Sequence, residues 1–180
     1  MGLSPTAYVI LGLLRTTPKS GYEIKAIVDN STRFFWAASY GQIYPELKRL
    51  AEEGLVEGSE APRGGRKRIV YKITRRGKQE LRAWLRRPPT TFELRDEGLL
   101  KLFFADALAP EEAVEILRAM REYRRGAVER LREIEPKAMA AGGYPLIVLR
   151  GGIEYNEQLA DWCEKVERQI LDETGEERIA

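Results

Sequence analysis

Apolar residues fall first at helical spacing, then briefly at strand spacing, then at helical spacing again to the end of the chain. Ser4-Pro5 combines an N-cap with proline at the first helical position, and the apolar stretch over residues 7–14 predicts a first helix stopping near Thr17-Pro18. Ser20-Gly21-Tyr22-Glu23 has capping-box spacing: Ser20 accepts from the amide of Glu23 and Glu23 reaches back. Ile24, Ile27 and Val28 continue this segment as a second helix ending around Asp29-Asn30. An aromatic connector follows, Phe34, Phe35 and Trp36, best read as packing onto the core rather than as an effector pocket between two domains. A third helix is expected within residues 39–53, where Ile43, Leu47 and Leu50 share one face. Pro45 leaves two starts open: near Tyr44 with the proline in the first turn, or at Ser39 with a local distortion.

After Gly54, a natural C-terminal cap, the period changes. Leu55-Val56-Glu57 begins one strand, and Ile69, Tyr71 and Ile73 alternate in a second. Residues 61–68 lie between them as a very basic loop, too long for a tight turn. Thr74 caps a further helix through Leu81, Trp84 and Leu85. Three helices and a two-stranded hairpin with a basic tip predict a winged helix-turn-helix over residues 1–87.

Pro88-Pro89-Thr90-Thr91 reads as the linker to an α-helical domain over residues 88–180. Thr90 and Glu93 have capping-box spacing, so a helix is expected over residues 92–107, carrying Leu99, Leu100, Phe103 and Phe104. Pro110-Glu111-Glu112 opens a long helix to about Glu135 with the stripe Ala113, Leu117, Met120, Ala127, Leu131 and Ile134, ended by Pro136. Beyond Gly142-Gly143, a last helix over residues 144–172 carries Leu149, Ile153, Asn156, Ala160, Cys163 and Ile170 along one side. A second stripe holds Tyr155, Leu159, Trp162 and Val166, and a helix apolar on two faces needs two neighbours, one of them from another subunit. The fold class is therefore mainly α with a small β-hairpin (α+β).

Composition narrows the function. At 180 residues, 43% apolar and 32% charged, the chain is a folded protein of one or two domains. No run approaches the ~18 apolar residues of a membrane span, and no basic leader with a cleavage site appears, so a cytoplasmic protein is expected. The absence of histidine removes Ser-His-Asp and Cys-His catalysis, and the single Cys163 removes disulfides and multi-cysteine metal sites. With no glycine-rich phosphate loop and no paired-carboxylate signature, neither an enzyme nor a cofactor or metal is expected. The net charge of +2 hides an asymmetry: residues 1–77 hold 13 Lys/Arg against 7 Asp/Glu, whereas the remainder is acidic. That split suits a nucleic-acid-binding module joined to something else.

Several segments carry a family resemblance. Ile10-Leu11-Gly12-Leu13-Leu14, Ser20-Gly21-Tyr22-Glu23-Ile24, the run from Tyr40-Gly41-Gln42-Ile43-Tyr44-Pro45 through Leu50, and Glu53-Gly54-Leu55-Val56 resemble the PadR family of transcriptional regulators. The segment from Gly65 to Thr74 followed by Gly77, and Leu149-Arg150-Gly151-Gly152-Ile153 with Trp162, resemble that family's wing and longer C-terminal dimerisation domain. Gly152, where a bulkier residue is usual, and Ala109, often serine, depart from the pattern. The resemblance implies a homodimer whose winged-helix domains grip a promoter, usually as a repressor, and a small aromatic or hydrophobic effector that releases the DNA.

Within such a frame Gln42 is the best base reader, since its amide matches adenine bidentately, although a polar side chain there that meets only water is the simpler alternative. Tyr40 and Tyr44 donate hydroxyls to phosphates, unless Tyr44 packs beneath Pro45. Lys48 and Arg49 supply phosphate charge or form a solvated face, and Tyr22, Lys25 and Pro45 complete the helical part of the surface. Arg63, Arg66, Lys67 and Arg68 place four cations around two glycines, a concentration that favours an anionic partner. Leu99, Phe103, Phe104, Leu149, Ile153, Tyr155, Leu159, Trp162 and Val166 are assigned to the dimer interface, and Cys163 to the core as a small buried hydrophobe. Double-stranded DNA with a pseudo-palindromic operator is the expected partner, with half-sites roughly 10 bp or a multiple apart. The competing reading is a winged-helix protein-interaction module without DNA specificity, which leaves the basic wing unexplained.

Overall fold

The computed structural model describes residues 2–32, 39–63, 66–89 and 95–177, with backbone only at residues 61–63, 66, 67, 141 and 174–177. The aromatic connector Phe34, Phe35 and Trp36 lies outside the described residues, as does the Thr90/Glu93 capping pair. The chain divides into two compact units, Met1–Thr91 and Phe92–Ala180.

In the first unit the elements are α1 (Pro5–Leu13), β1 (Lys19–Ser20), α2 (Gly21–Asp29), α3 (Tyr40–Glu52), β2 (Val56–Arg63), β3 (Arg66–Ile73) and α4 (Arg75–Leu85). Side-chain caps start three of the four helices: Ser4 accepts from Ala7 N at 3.1 Å, Ser20 and Glu23 form the reciprocal box, and Thr74 accepts from Gly77 N at 3.0 Å. The helices close around Ile10, Leu11, Ile24, Val28, Ile43, Leu47 and Leu50, all buried. Tyr8 stacks on Trp84 at 4.4 Å and donates to Glu80, locking α1 to α4. Gly54 takes φ +68 directly after α3, where the amide of Leu55 closes onto Leu50 O at 2.8 Å.

One open alternative in this unit is decided and one expectation is corrected. Helix α3 has Ser39 as its N-cap and begins at Tyr40, the second of the two starts, so Pro45 sits inside it rather than in its first turn. An interior proline costs about 3 kcal/mol. Burial of Ile43, Leu47 and Leu50, roughly 1.5–3 kcal/mol each, exceeds that cost. The expected long basic loop is also mostly strand. β2 and β3 pair from Val56↔Ile73 to Arg63↔Arg66, leaving Gly64 and Gly65 between them, and β1 adds a third strand in the order β1-β3-β2. A Gly-Gly pair flanked by residues able to pair is a two-residue hairpin signal that outranks the polarity of its neighbours.

The second unit comprises α5 (Glu97–Phe103), a 3₁₀ turn (Ala105–Ala107), α6 (Pro110–Ala141) and α7 (Tyr144–Glu177). Helix α5 starts later than the expected residue 92, because Asp96 accepts from the amides of Gly98 and Leu99 and so defines the N-terminus. Helix α6 continues past Pro136, which removes one intrahelical bond near the end of the helix while α7 supports it from the side. Ion pairs Arg118–Glu167, Arg125–Glu164, Arg132–Glu157 and Arg150–Glu135 descend α7 as they ascend α6, so the two helices are antiparallel. Leu117, Met120 and Cys163 form the core of this unit, with Leu99, Leu102, Ile116, Val166 and Ile170 packed around them.

Candidate nucleic-acid interface

Helix α3 is divided cleanly by exposure. Ile43, Leu47 and Leu50 are fully buried, while Tyr40, Gln42, Tyr44, Pro45 and Lys48 are exposed. Tyr40 and Tyr44, one turn apart, stack at 6.1 Å between ring centroids. Tyr44 does not pack beneath Pro45. Its ring lies against the start of α2, where a Cβ on Gly21 would come within 2.7 Å of it, so α2 and α3 approach closely there. Tyr22, 63% exposed, stands one residue further along α2.

The predicted cations divide by partner. Lys25 lies 5.3 Å above the Tyr40 ring and is ion-paired with Asp29, so it positions Tyr40 as much as it offers charge. Arg49 meets Glu46 at 3.5 Å and Glu53 at 2.9 Å, so its guanidinium is ion-paired along its own helix. Arg68 reaches from β3 to Glu23 at 3.3 Å and ties the wing to the first turn of α2. Lys48 contrasts with them: its side chain is 80% exposed and its pair with Glu52 is long, at 3.9 Å. A pair of that kind breaks readily in favour of a phosphate. Arg63, Arg66 and Lys67 lie at the outer end of the hairpin, with Arg63 opposite Arg66 and Pro62 opposite Lys67, and their side chains are outside the described residues.

Sequence reasoning missed the role of Ser39 on this surface and the second partner of Glu23. Ser39 donates its backbone N–H to Gln42 Oε1 at 2.9 Å, so the amide assigned to base reading is engaged at the helix start. The signal was present, since Ser39-x-x-Gln42 repeats the spacing of Ser20-x-x-Glu23. At Glu23 the bonds from Ser20 first, then Arg68, hold the carboxyl below the usual range.

The expected dimer residues also separate. Ile153 is 8% exposed within the single chain, and the half-buried Leu99 and Val166 pack on the Leu117–Met120–Cys163 core. Leu149 and Leu159 are half-buried. Phe103, Phe104, Tyr155 and Trp162 stay exposed, Phe103 by 78%, and Phe103 meets Phe104 edge-on at 5.0 Å. Phe104 also lines an open apolar groove of about 420 Å³ with Leu100, Lys101, Ala107, Leu108 and Ile116. Cys163 is buried, and burial pushes its thiol up, away from a reactive thiolate. Among the described residues no group of acidic or cysteine side chains is placed to hold a metal, and no helix is long and apolar enough to cross a membrane.

A model of the transcriptional regulator PadR-like family matches residues 10–83, and one of the virulence activator alpha C-term matches residues 94–170. The chain is 33% identical over 172 residues to the negative transcriptional regulator PadR of Bacillus subtilis (strain 168), covering 88% of this chain and 93% of that protein. The crystal structure of Bacillus subtilis PadR in complex with operator DNA superposes with a TM-score of 0.83 at 32% identity, covering 91% of this chain and 96% of that one. The structure of the same protein in complex with p-coumaric acid gives a TM-score of 0.74 at 31% identity, covering 93% and 97%.

Proposed function

Because this chain belongs to the PadR-like family of transcriptional regulators, we propose that it represses transcription as a homodimer bound to a pseudo-palindromic operator, in the cytoplasm. The observation that carries the reading is the division of α3. Its apolar face is spent wholly on the core, while Tyr40, Tyr44 and Lys48 are presented outward beside a wing whose end holds Arg63, Arg66 and Lys67. A recognition helix places its N-terminal side chains at base edges in the major groove and draws its register from phosphate contacts. Tyrosine hydroxyls and a loosely paired lysine suit phosphates, and the clustered arginines suit phosphates or a narrow minor groove.

The exposed Phe103, Phe104, Tyr155 and Trp162 support the homodimer, since a second copy is the partner that every molecule of the protein has available. The relative solved on operator DNA supports the DNA reading, and its complex with p-coumaric acid supports a small aromatic effector for this chain. Selection of bound genomic fragments, followed by footprinting, tests the proposal. Two protected half-sites should appear with centres about 10 bp or a multiple apart. A single half-site protected at saturation, or no enriched fragment, contradicts it.

A further inference from the structure

Gln42 stands in the first turn of α3, away from the buried face. Its Oε1 accepts from the backbone N–H of Ser39 at 2.9 Å, with the Ser39 hydroxyl at 3.3 Å. A backbone N–H can only donate, so the end of the carboxamide facing it is the oxygen, and the NH₂ is directed the other way. Among the described residues no acceptor meets Nε2, and the side chain is exposed. Gln42 therefore offers the groove a donor and withholds its acceptor.

Resting on the reading of α3 as a recognition helix, we infer that Gln42 is a donor-only base reader that selects guanine, with Ser39 as its positioning residue. A lone NH₂ finds a single acceptor on adenine (N7) or thymine (O4), whereas guanine alone presents two adjacent acceptors, O6 and N7, with no donor beside them, and so bonds it best. Bidentate pairing with adenine requires the carboxamide to donate to N7 and accept from N6 at once, and both lone pairs of the oxygen already face Ser39, one its N–H at 2.9 Å and the other its hydroxyl at 3.3 Å. Releasing it would strip a helix-start amide of its side-chain partner, one of the orphan donors that capping satisfies. The preference is thus set in the free protein rather than created on DNA, and it reverses the adenine reading drawn from residue type alone.

Selection from a randomised duplex pool, with sequencing of the bound fraction, tests this for the wild type and two variants. In Gln42→Glu one carboxylate oxygen still caps Ser39, as Glu23 does for Ser20, while the outward donor becomes an acceptor. The melting temperature should hold. Guanine at one position of each half-site should fall by at least about five-fold and be replaced by cytosine, whose N4 donates. Ser39→Pro removes the amide donor and the hydroxyl together, at a φ of −83° that proline tolerates. It should free the oxygen and raise adenine relative to guanine at that same position. An adenine preference in the wild type at the position that Gln42→Glu alters overturns the inference, as does a Gln42→Glu profile identical to the wild type. Should Ser39→Pro melt, the Gln42→Glu comparison decides by itself. A wild-type pool with no enriched sequence overturns the DNA-binding reading instead, so the two failures are distinct.

Discussion

Glu23 shows how one carboxylate serves both a helix and a surface. It accepts from the backbone N–H and the hydroxyl of Ser20, each at 2.8 Å, and meets Arg68 of the wing at 3.3 Å. The Ser20 bonds foremost, and Arg68 after them, hold its folded pKa below the unfolded value. Its contribution to stability is therefore complete above the ordinary carboxylate range and is lost as pH falls through the depressed folded value. Glu23→Gln should flatten the acid limb of the curve of melting temperature against pH while leaving the neutral limb's shape unchanged; an unaltered acid limb would show that the pair carries no stability. The Ser20–Glu23 half of this arrangement was legible in the sequence as a spacing. The Arg68 half was not, because residues 23 and 68 meet only after β3 has paired with β1 and the wing stands beside α2. The ion pairs of Arg49 were hidden for a related reason: the sequence offered it as a solvated or phosphate-facing cation, whereas Glu46 and Glu53, at i−3 and i+4, reach it along the same helix.

At the scale of elements, periodicity located every helix of the winged unit, and cap residues marked their starts. It failed where two local signals competed. Residues 61–68 look like a loop by charge and glycine content, yet they add three paired registers to the hairpin, down to Arg63↔Arg66 with two glycines between them in the chain. Pro136 looks like a stop, yet α6 passes through it because the α6–α7 pair is held along its length by cross-helix contacts. The most buried of these ion pairs centres on Glu167, whose side chain is 10% exposed and accepts from Arg118 at 2.7 Å and Arg121 at 2.6 Å. Arg118 foremost, then Arg121, hold that carboxyl below its usual range. Glu167→Gln keeps the shape but leaves two guanidinium groups facing a neutral amide, and charge-assisted bonds of this kind contribute about 1.5–3 kcal/mol. Chemical denaturation should show a loss of that order, with DNA affinity per folded molecule unchanged. A loss below about 0.5 kcal/mol would assign the pairing of the helices to the apolar stripe alone.

For the whole molecule, the sequence already displayed the division that matters: 13 cationic against 7 anionic residues over 1–77, and an acidic remainder. What it concealed is that Lys25 on α2, Arg49 on α3 and Arg68 on β3 have ion-pair partners, whereas Lys48 on α3 is held only loosely. Under the proposed function the electrostatic part of binding accordingly falls to Lys48 and the hairpin end, and specificity to the exposed turn of α3. The most direct test is equilibrium binding of a selected operator and of random duplex between 50 and 200 mM salt. Log affinity should fall linearly with log salt, with a slope of about 0.9 per phosphate contact, while the operator stays at least about 10³-fold tighter than random DNA. Replacing Arg63, Arg66 and Lys67 with alanine should flatten the slope for both duplexes alike. Salt-insensitive binding, or equal affinity for operator and random DNA, would contradict the account.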